Sequence, residues 1–238
     1  GIDTKPMATK DEKIIPIEKF GIKMMSIGFL LSEEDTVIWR GPMVHGAIKQ
    51  FVEDVEYRIA QKLADGEVVA RFKGAAEWGA RSLGNRAILA RPDRMESFFM
   101  VNDQVKMRDF WMPFAPSILR DAHKNYLQMG KVTVAPFMIT SFDSTDAGRR
   151  DFCAAMHNRD KTLRAQIVDE SVNPSYYKLI SYFHDMTGIG GVLNTSLNLH
   201  GYPLVCSPQQ AIFTIDSCDL RCLALENCFL VKRVQSVS

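Results

Sequence analysis

From Val55 onward the apolar positions fall into clean periods. Val55, Ile59, Leu63 and Ala64 recur at helical spacing, and Gly66 stands where a left-handed cap ends a helix. EVVARF (67–72) follows as a strand, and a glycine-punctuated basic stretch runs from 73 to 91. KVTVAPFMITS (131–141) predicts a strand interrupted by Pro136. Asn173-Pro174 supplies a cap and a first-turn proline for a helix whose apolar face is Tyr176, Leu179, Ile180, Phe183 and Met186, closed by Gly188. GGVLNTS (190–196) reads as a strand running into a polar loop. Ser207, Pro208 and Gln210 form a capping-box signature for a helix ending near Asp216. LRCLALEN and CFLVKRV read as two strands joined near Asn227. Strands alternating with helices predict an α/β or α+β fold with a mixed sheet.

Residues 1–54 have a different texture. Short strands are expected at IIPI (14–17), GIKMMSIGFLL (21–31) and TVIWRGPM (36–43), with a short helix over 44–54 after a Gly-Pro pair. The change of pattern divides the chain into 1–54 and 55–238.

Composition narrows the classes. The 238 residues are 46% hydrophobic and 24% charged, enough for one large domain or two small ones. Twenty-nine Lys and Arg against 28 Asp and Glu leave a net charge of +1, which argues against a global field for nucleic acid but not against a local basic pocket. No apolar run approaches the about 18–20 residues of a membrane span; Met24–Leu31 is broken by Ser26 and Gly28. The charged first residues do not resemble a secretory signal. Five cysteines without a CxxC pair fit a reducing, cytoplasmic location.

The densest chemistry lies at 71–108. Arg71, Lys73, Arg81, Arg86, Arg91, Arg94, Lys106 and Arg108 face only four acids, Glu77, Asp93, Glu96 and Asp103. GAAEWGARSLGNR (74–86) places glycines, which let a backbone approach an anion, among arginines, whose planar forks match phosphate or carboxylate. It is neither a Walker A loop nor a dinucleotide fingerprint. An anion site and a solvated basic surface both fit. DKTLRAQ (160–166) would put Asp160, Thr162, Arg164 and Gln166 on one strand face, suited to a small polar ligand or to solvent. NTSLN (194–198) offers donors and acceptors beyond a strand end, as a ligand loop or an ordinary turn. The histidines lack metal-ligand spacing; His157 and Asp160 alone do not make a metal site. Cys218 and Cys222 read as small buried hydrophobes, and Met24, Met25, Met43, Met95, Met100 and Met107 as core fillers.

Several ordered motifs carry a resemblance. EWGARSLGNRAIL (77–89), VKMRDFWMPFAPSIL (105–119), DKTLRAQ and NPSYYKLISYFHDMTGIGGVLNTSLNLHGYPLVCSPQQAI (173–212) resemble the C-terminal domain of the O-carbamoyltransferases of the nodulation and nebramycin type. The resemblance covers about residues 55–233. It implies a YrdC-like α/β domain, a twisted mixed sheet with flanking helices. It also implies that this domain binds carbamoyl phosphate and ATP with Mg²⁺ and forms carbamoyl adenylate. A separate actin-like domain would then pass the carbamoyl group to a substrate hydroxyl. Carried onto these motifs, Arg81, Lys106 and Arg164 are expected at carbamoyl phosphate. Arg86, Arg108 and the loop of Asn194, Thr195, Ser196 and Asn198 are expected near nucleotide or phosphate, and Glu77 is expected only to orient an arginine. Met112 stands where the family pattern has arginine, so one expected cation is missing. A binding-only remnant is the alternative.

GIKMMSIGFL and VIWRGPMV, in the first 54 residues, resemble the middle of Mrp/ApbC-type ATPases that carry iron–sulfur clusters. No GKGGVGKST loop, DxPPGTGD motif or CxxC accompanies them. The chain therefore reads as two family segments joined near 52–57, the first without nucleotide-binding motifs.

Overall fold

The computed structural model describes residues 54–232 except Phe110 and Thr133, with the backbone of two short strands, Ile17–Lys19 (β1) and Ile22–Met24 (β2). These two pair antiparallel, Ile17 opposite Met24. The other expected elements of 1–54, including the strand at 36–43 and the helix at 44–54, lie outside the described residues, as do the side chains of Met24, Met25 and Met43. The chain divides into two units, Gly1–Asp54 and Val55–Ser238.

The second unit is built on a seven-stranded mixed sheet. Its strands are Val69–Phe72 (β3), Arg86–Ala90 (β4), Ala115–Leu119 (β5), Gln166–Val168 (β9), Gly191–Ser196 (β10), Cys222–Leu225 (β11) and Cys228–Val231 (β12). The spatial order is β12-β11-β3-β4-β10-β5-β9. The β11–β3 and β5–β9 pairs are parallel and the others antiparallel. Both faces are covered, which is why β3 and β4 are wholly buried without alternation, each carrying one buried arginine, Arg71 and Arg86, among apolar residues. Val69, Ala87, Leu89 and Ala224 face a cluster with helices α1 (Val55–Ala64) and α5 (Pro174–Thr187). Ala70, Ile88, Leu193 and Leu223 face the opposite cluster with α2 (Met95–Val101) and α6 (Pro208–Asp216).

Local chemistry sets the ends. The Asn173 side chain accepts from Tyr176 N and caps α5, which stops at Gly188 in the left-handed region. Ser207 and Gln210 close a reciprocal capping box on α6. Gly66 ends α1 at φ +92°.

A small sheet of Leu127–Gln128 (β6), Phe142–Ser144 (β7) and Thr162–Leu163 (β8) lies beside helices α3 (His123–Tyr126) and α4 (Asp146–Asp151). Here three expectations are corrected. The described residues of 131–141 form turns and coil instead of a strand. Gly130 and Met138 both have positive φ, and Pro136 has no N–H to give a ladder. DKTLRAQ is not one strand with one polar face. It breaks at Arg164-Ala165, Thr162 pairing with β7 and Gln166 with β5, so Arg164 sits at the corner between two sheets. Met107 is 74% exposed at φ 44°, not a core filler, whereas Met95 and Met100 pack against the second cluster. Cys222 is buried in the core as expected, and Cys218 is partly buried.

Gly191 is where the sheet tolerates least. A Cβ there would meet the Ser117 carbonyl oxygen at 2.6 Å and the Phe152 ring at 2.8 Å. Gly191→Ala is expected to lower the unfolding free energy by about 2–3 kcal/mol, read from urea denaturation.

Candidate anion-binding site

The site begins with a carboxylate that organises backbone. Glu77 Oε1 accepts from the N–H groups of Leu83 (2.8 Å), Asn85 (2.6 Å) and Arg86 (3.1 Å). Ser82 Oγ donates to Arg86 O at 2.7 Å, closing the same loop. Gly84, at φ +114°, lies flat on the Tyr176 ring, and a Cβ would collide with that ring. The loop carries Arg81 at its outer edge.

A second support comes from α2. It runs into a π-helical turn, Asn102–Lys106, and leaves through left-handed Met107. The Asn102 side chain brackets the next residue, accepting from Arg108 N (2.9 Å) and donating to Arg108 O (3.0 Å). Arg108 thereby projects across the Phe114 ring, 5.5 Å from its centroid.

Lys106 is 2% exposed. Its ammonium donates to Ser196 O (2.6 Å), Ser196 Oγ (3.2 Å), Asn198 O (3.0 Å) and Asn198 Oδ1 (2.6 Å). It pins the chain just past β10 to the π-helical turn. Burial, and after it the repulsion of Arg108, pull its pKa down to about 7.

Arg81, Arg108 and Arg164 meet at one open pocket with a cavity volume of about 50 Å³, lined also by Ser82, Phe114, Asn194, Thr195 and Ser196. Burial lowers the pKa of Arg108, with Arg81 adding to it. Burial lowers that of Arg164, with Arg81 and Arg108 adding to it. Among the described residues no carboxylate lines the pocket, and none of the three guanidinium groups has a protein acceptor. Three cations converging without a counter-charge make a place for a polyanion.

Six of the nine sequence-predicted site residues therefore line one pocket: Arg81, Arg108, Arg164, Asn194, Thr195 and Ser196. The other three do not line it. Lys106 stands behind the loop. Arg86 spends its guanidinium on Lys73 O (3.0 Å), Asn85 O (3.1 Å) and Gly74 O (2.8 Å) and lies 3.5 Å over the Phe72 ring. Asn198 lines a neighbouring apolar pocket with Leu199, Tyr202 and Phe213. Glu77 orients a backbone loop rather than an arginine. Sequence reasoning missed Asn102, Ser82 and Phe114; an asparagine six residues before an arginine carries no signal until the π-helical turn joins them. It also gave no role to Arg71, which is buried and donates to Gly84 O (2.5 Å) and Ser175 Oγ (2.7 Å).

Metal-ligating clusters of three or more His, Cys, Asp or Glu do not occur among the described residues. His157 Nδ1 and Asp160 Oδ1 form a 2.9 Å pair, with no third ligand beside it. No described helix is long and apolar enough to cross a membrane.

Residues 60–232 match the family described as "Carbamoyltransferase C-terminus". The chain belongs to that family. It is 37% identical over 174 residues to an uncharacterized protein of Methanocaldococcus jannaschii, covering 73% of this chain and 28% of that one. It is 33% identical over 205 residues to nodulation protein NolNO of Sinorhizobium fredii, covering 86% and 29%. The chain thus spans about three tenths of the length of these relatives. The fold is YrdC-like. It resembles full-length HypF in its phosphate- and nucleotide-bound form (TM-score 0.54, 16% identity, 76% of this chain and 26% of that). It also resembles Escherichia coli YciO (TM-score 0.50, 13% identity, 75% and 88%). Residues 1–63 match the family described as "NUBPL iron-transfer P-loop NTPase". Over 53 residues they are 42% identical to the iron-sulfur cluster transfer protein NUBPL of Dictyostelium discoideum, covering 22% of this chain and 16% of that one.

Two outcomes follow for the supports. Glu77→Ala strands three N–H groups, and an expected loss of about 2–3 kcal/mol in unfolding free energy is measurable by denaturant titration. Lys106 loses its proton near pH 7 when folded but near 10.5 when unfolded. Between these values the unfolded chain binds more protons, so stability contributed here rises with pH. The unfolding free energy of the wild type minus that of Lys106→Met is expected to increase from pH 7 to pH 9.

Proposed function

We propose that this domain binds carbamoyl phosphate and ATP and forms carbamoyl adenylate, for transfer to a substrate hydroxyl by a separate actin-like domain. The observation that carries the reading is the meeting of Arg81, Arg108 and Arg164 at one pocket without a carboxylate. Two phosphorylated substrates repel each other, and fixed guanidinium groups offset that repulsion as charge redistributes. Family membership gives the carbamoyl group, and HypF, of similar fold, is known in a phosphate- and nucleotide-bound form.

Atom balance sets the order. Carbamoyl phosphate takes up water and yields carbamate and phosphate; a carbamate oxygen then attacks the α-phosphorus of ATP, and pyrophosphate leaves. Arg164 at the sheet corner and Arg81 on the Glu77 loop hold the donor's phosphate, while Arg108 and the Thr195–Ser196 strand end receive the nucleotide's phosphates. Lys106 acts from behind, fixing Ser196. The pocket's side chains are cationic or neutral and do not fit a resident Mg²⁺; magnesium enters as part of the MgATP substrate, held by phosphate oxygens and water. A reducing compartment such as the cytoplasm suits the five free cysteines.

The test is exchange of labelled pyrophosphate into ATP, with and without carbamoyl phosphate. Exchange that requires carbamoyl phosphate and falls at least about 100-fold in Arg164→Ala is expected. Binding of carbamoyl phosphate or ATP without exchange would support instead the binding-only remnant, in which the missing cation at Met112 matters. Neither binding nor exchange would overturn the reading.

A further inference from the structure

The floor of the arginine pocket contains a directed hydrogen-bond chain. Gln166 Nε2 donates to Leu83 O (3.0 Å), a carbonyl that only accepts. Gln166 Oε1 is thereby turned to Ser117 and accepts its hydroxyl proton at 2.7 Å. Ser117 Oγ, having donated, accepts from Asn194 Nδ2 at 2.9 Å. Asn194 Nδ2 gives its second proton to Ser82 O at 3.1 Å, again a carbonyl. Both ends of the chain are pure acceptors, so the Asn194 amide cannot be reversed without breaking it.

One atom is left over. Asn194 is 1% exposed and lines the pocket, and its Oδ1 has no hydrogen-bond partner among the described residues. A buried amide oxygen without a donor is costly, and β10 holds it in place by pairing on both sides. The pocket therefore combines cations for an anionic group with a lining side chain that keeps one unspent acceptor. A carbamoyl group has an –NH₂ where an acetyl group has –CH₃, at nearly the same size.

We propose that Asn194 Oδ1 accepts a hydrogen bond from the carbamoyl –NH₂ and so makes the site select carbamoyl phosphate over acyl phosphates of the same shape. This rests on the reading of the pocket as a carbamoyl-phosphate site. The β10 asparagine then touches the uncharged end of the ligand, and the arginines touch the phosphate. A site built to pair a polar group discriminates strongly against the analogue that lacks it, because the protein's own group is left unpaired.

The experiment is calorimetric titration of the full chain with carbamoyl phosphate, acetyl phosphate and inorganic phosphate, on the wild type and Asn194→Leu. The wild type is expected to bind carbamoyl phosphate at least about tenfold more tightly than acetyl phosphate. Asn194→Leu should bring that ratio near one while leaving inorganic phosphate binding within about threefold. Equal wild-type affinities for the two acyl donors would overturn the proposal, even if the variant fails to fold. So would a variant that weakens all three ligands alike. Tyr176, buried under the same loop with its hydroxyl beside Ser117, provides a control. If Tyr176→Phe alone abolished the preference, the assignment to Asn194 would fail. In each of these cases retained phosphate binding leaves the anion site standing; loss of all binding by the folded wild type would sink both.

Discussion

Three guanidinium groups aimed at one pocket repel one another, and the domain around them is arranged to keep them there. Burial and mutual repulsion lower the pKa of Arg108 and Arg164, so holding the cluster costs free energy in the absence of an anion. Each cation is fixed by different means. Arg81 rides on a loop whose amides converge on Glu77. Arg108 is bracketed by Asn102 at the end of a π-helical turn. Arg164 occupies a corner where one short strand ends and another, in a different sheet, begins. Flexible supports would let the arginines spread into solvent, and the field at the pocket would weaken.

The doubly covered sheet gives those supports a common frame. β4, β10 and β5 lie side by side, so Ser82 before β4, Asn194 on β10 and Ser117 on β5 meet at one place. Apolar packing on both faces leaves the pocket at the end of the sheet as the place where polar groups can gather. Lys106 extends the frame by joining residues 90 and 92 positions apart. Its four acceptors are neutral oxygens, so they hold the amine without a counter-charge, and burial lowers its pKa.

Much of this was legible in the sequence where local chemistry decides the outcome. The caps at Asn173, Gly188, Ser207 and Gly66 all form, because each is a short-range contest between one side chain and a few backbone groups. The 131–141 segment misled because alternating Val132 and Val134 imitate a strand, while Gly130, Pro136 and Met138 impose turns that no periodicity reports. DKTLRAQ misled for another reason. Its alternation is real, but two different sheets compete for its ends, and that competition is set by long-range pairing. The hydrogen-bond chain through Gln166, Ser117 and Asn194 is invisible in sequence, since bonded members are separated by up to 112 positions.

The basic stretch shows why residue type alone could not decide between an anion site and a solvated surface. Of its eight cations, Arg71, Lys73, Arg86, Arg91 and Lys106 are committed to protein acceptors. Arg94 is exposed away from the pocket, beside Gly66. Only Arg81 and Arg108 remain uncommitted at the pocket, and the third member, Arg164, comes from a separate motif. Chemistry is thus identified by accounting for partners: a buried arginine with filled acceptors is architecture, and one held without any is an instrument. The same accounting applied to neutral groups singles out Asn194. Its donors are both used and its acceptor is not, and a fold that aligns four buried side chains and carbonyls to fix one amide has determined which end of a ligand that amide can read.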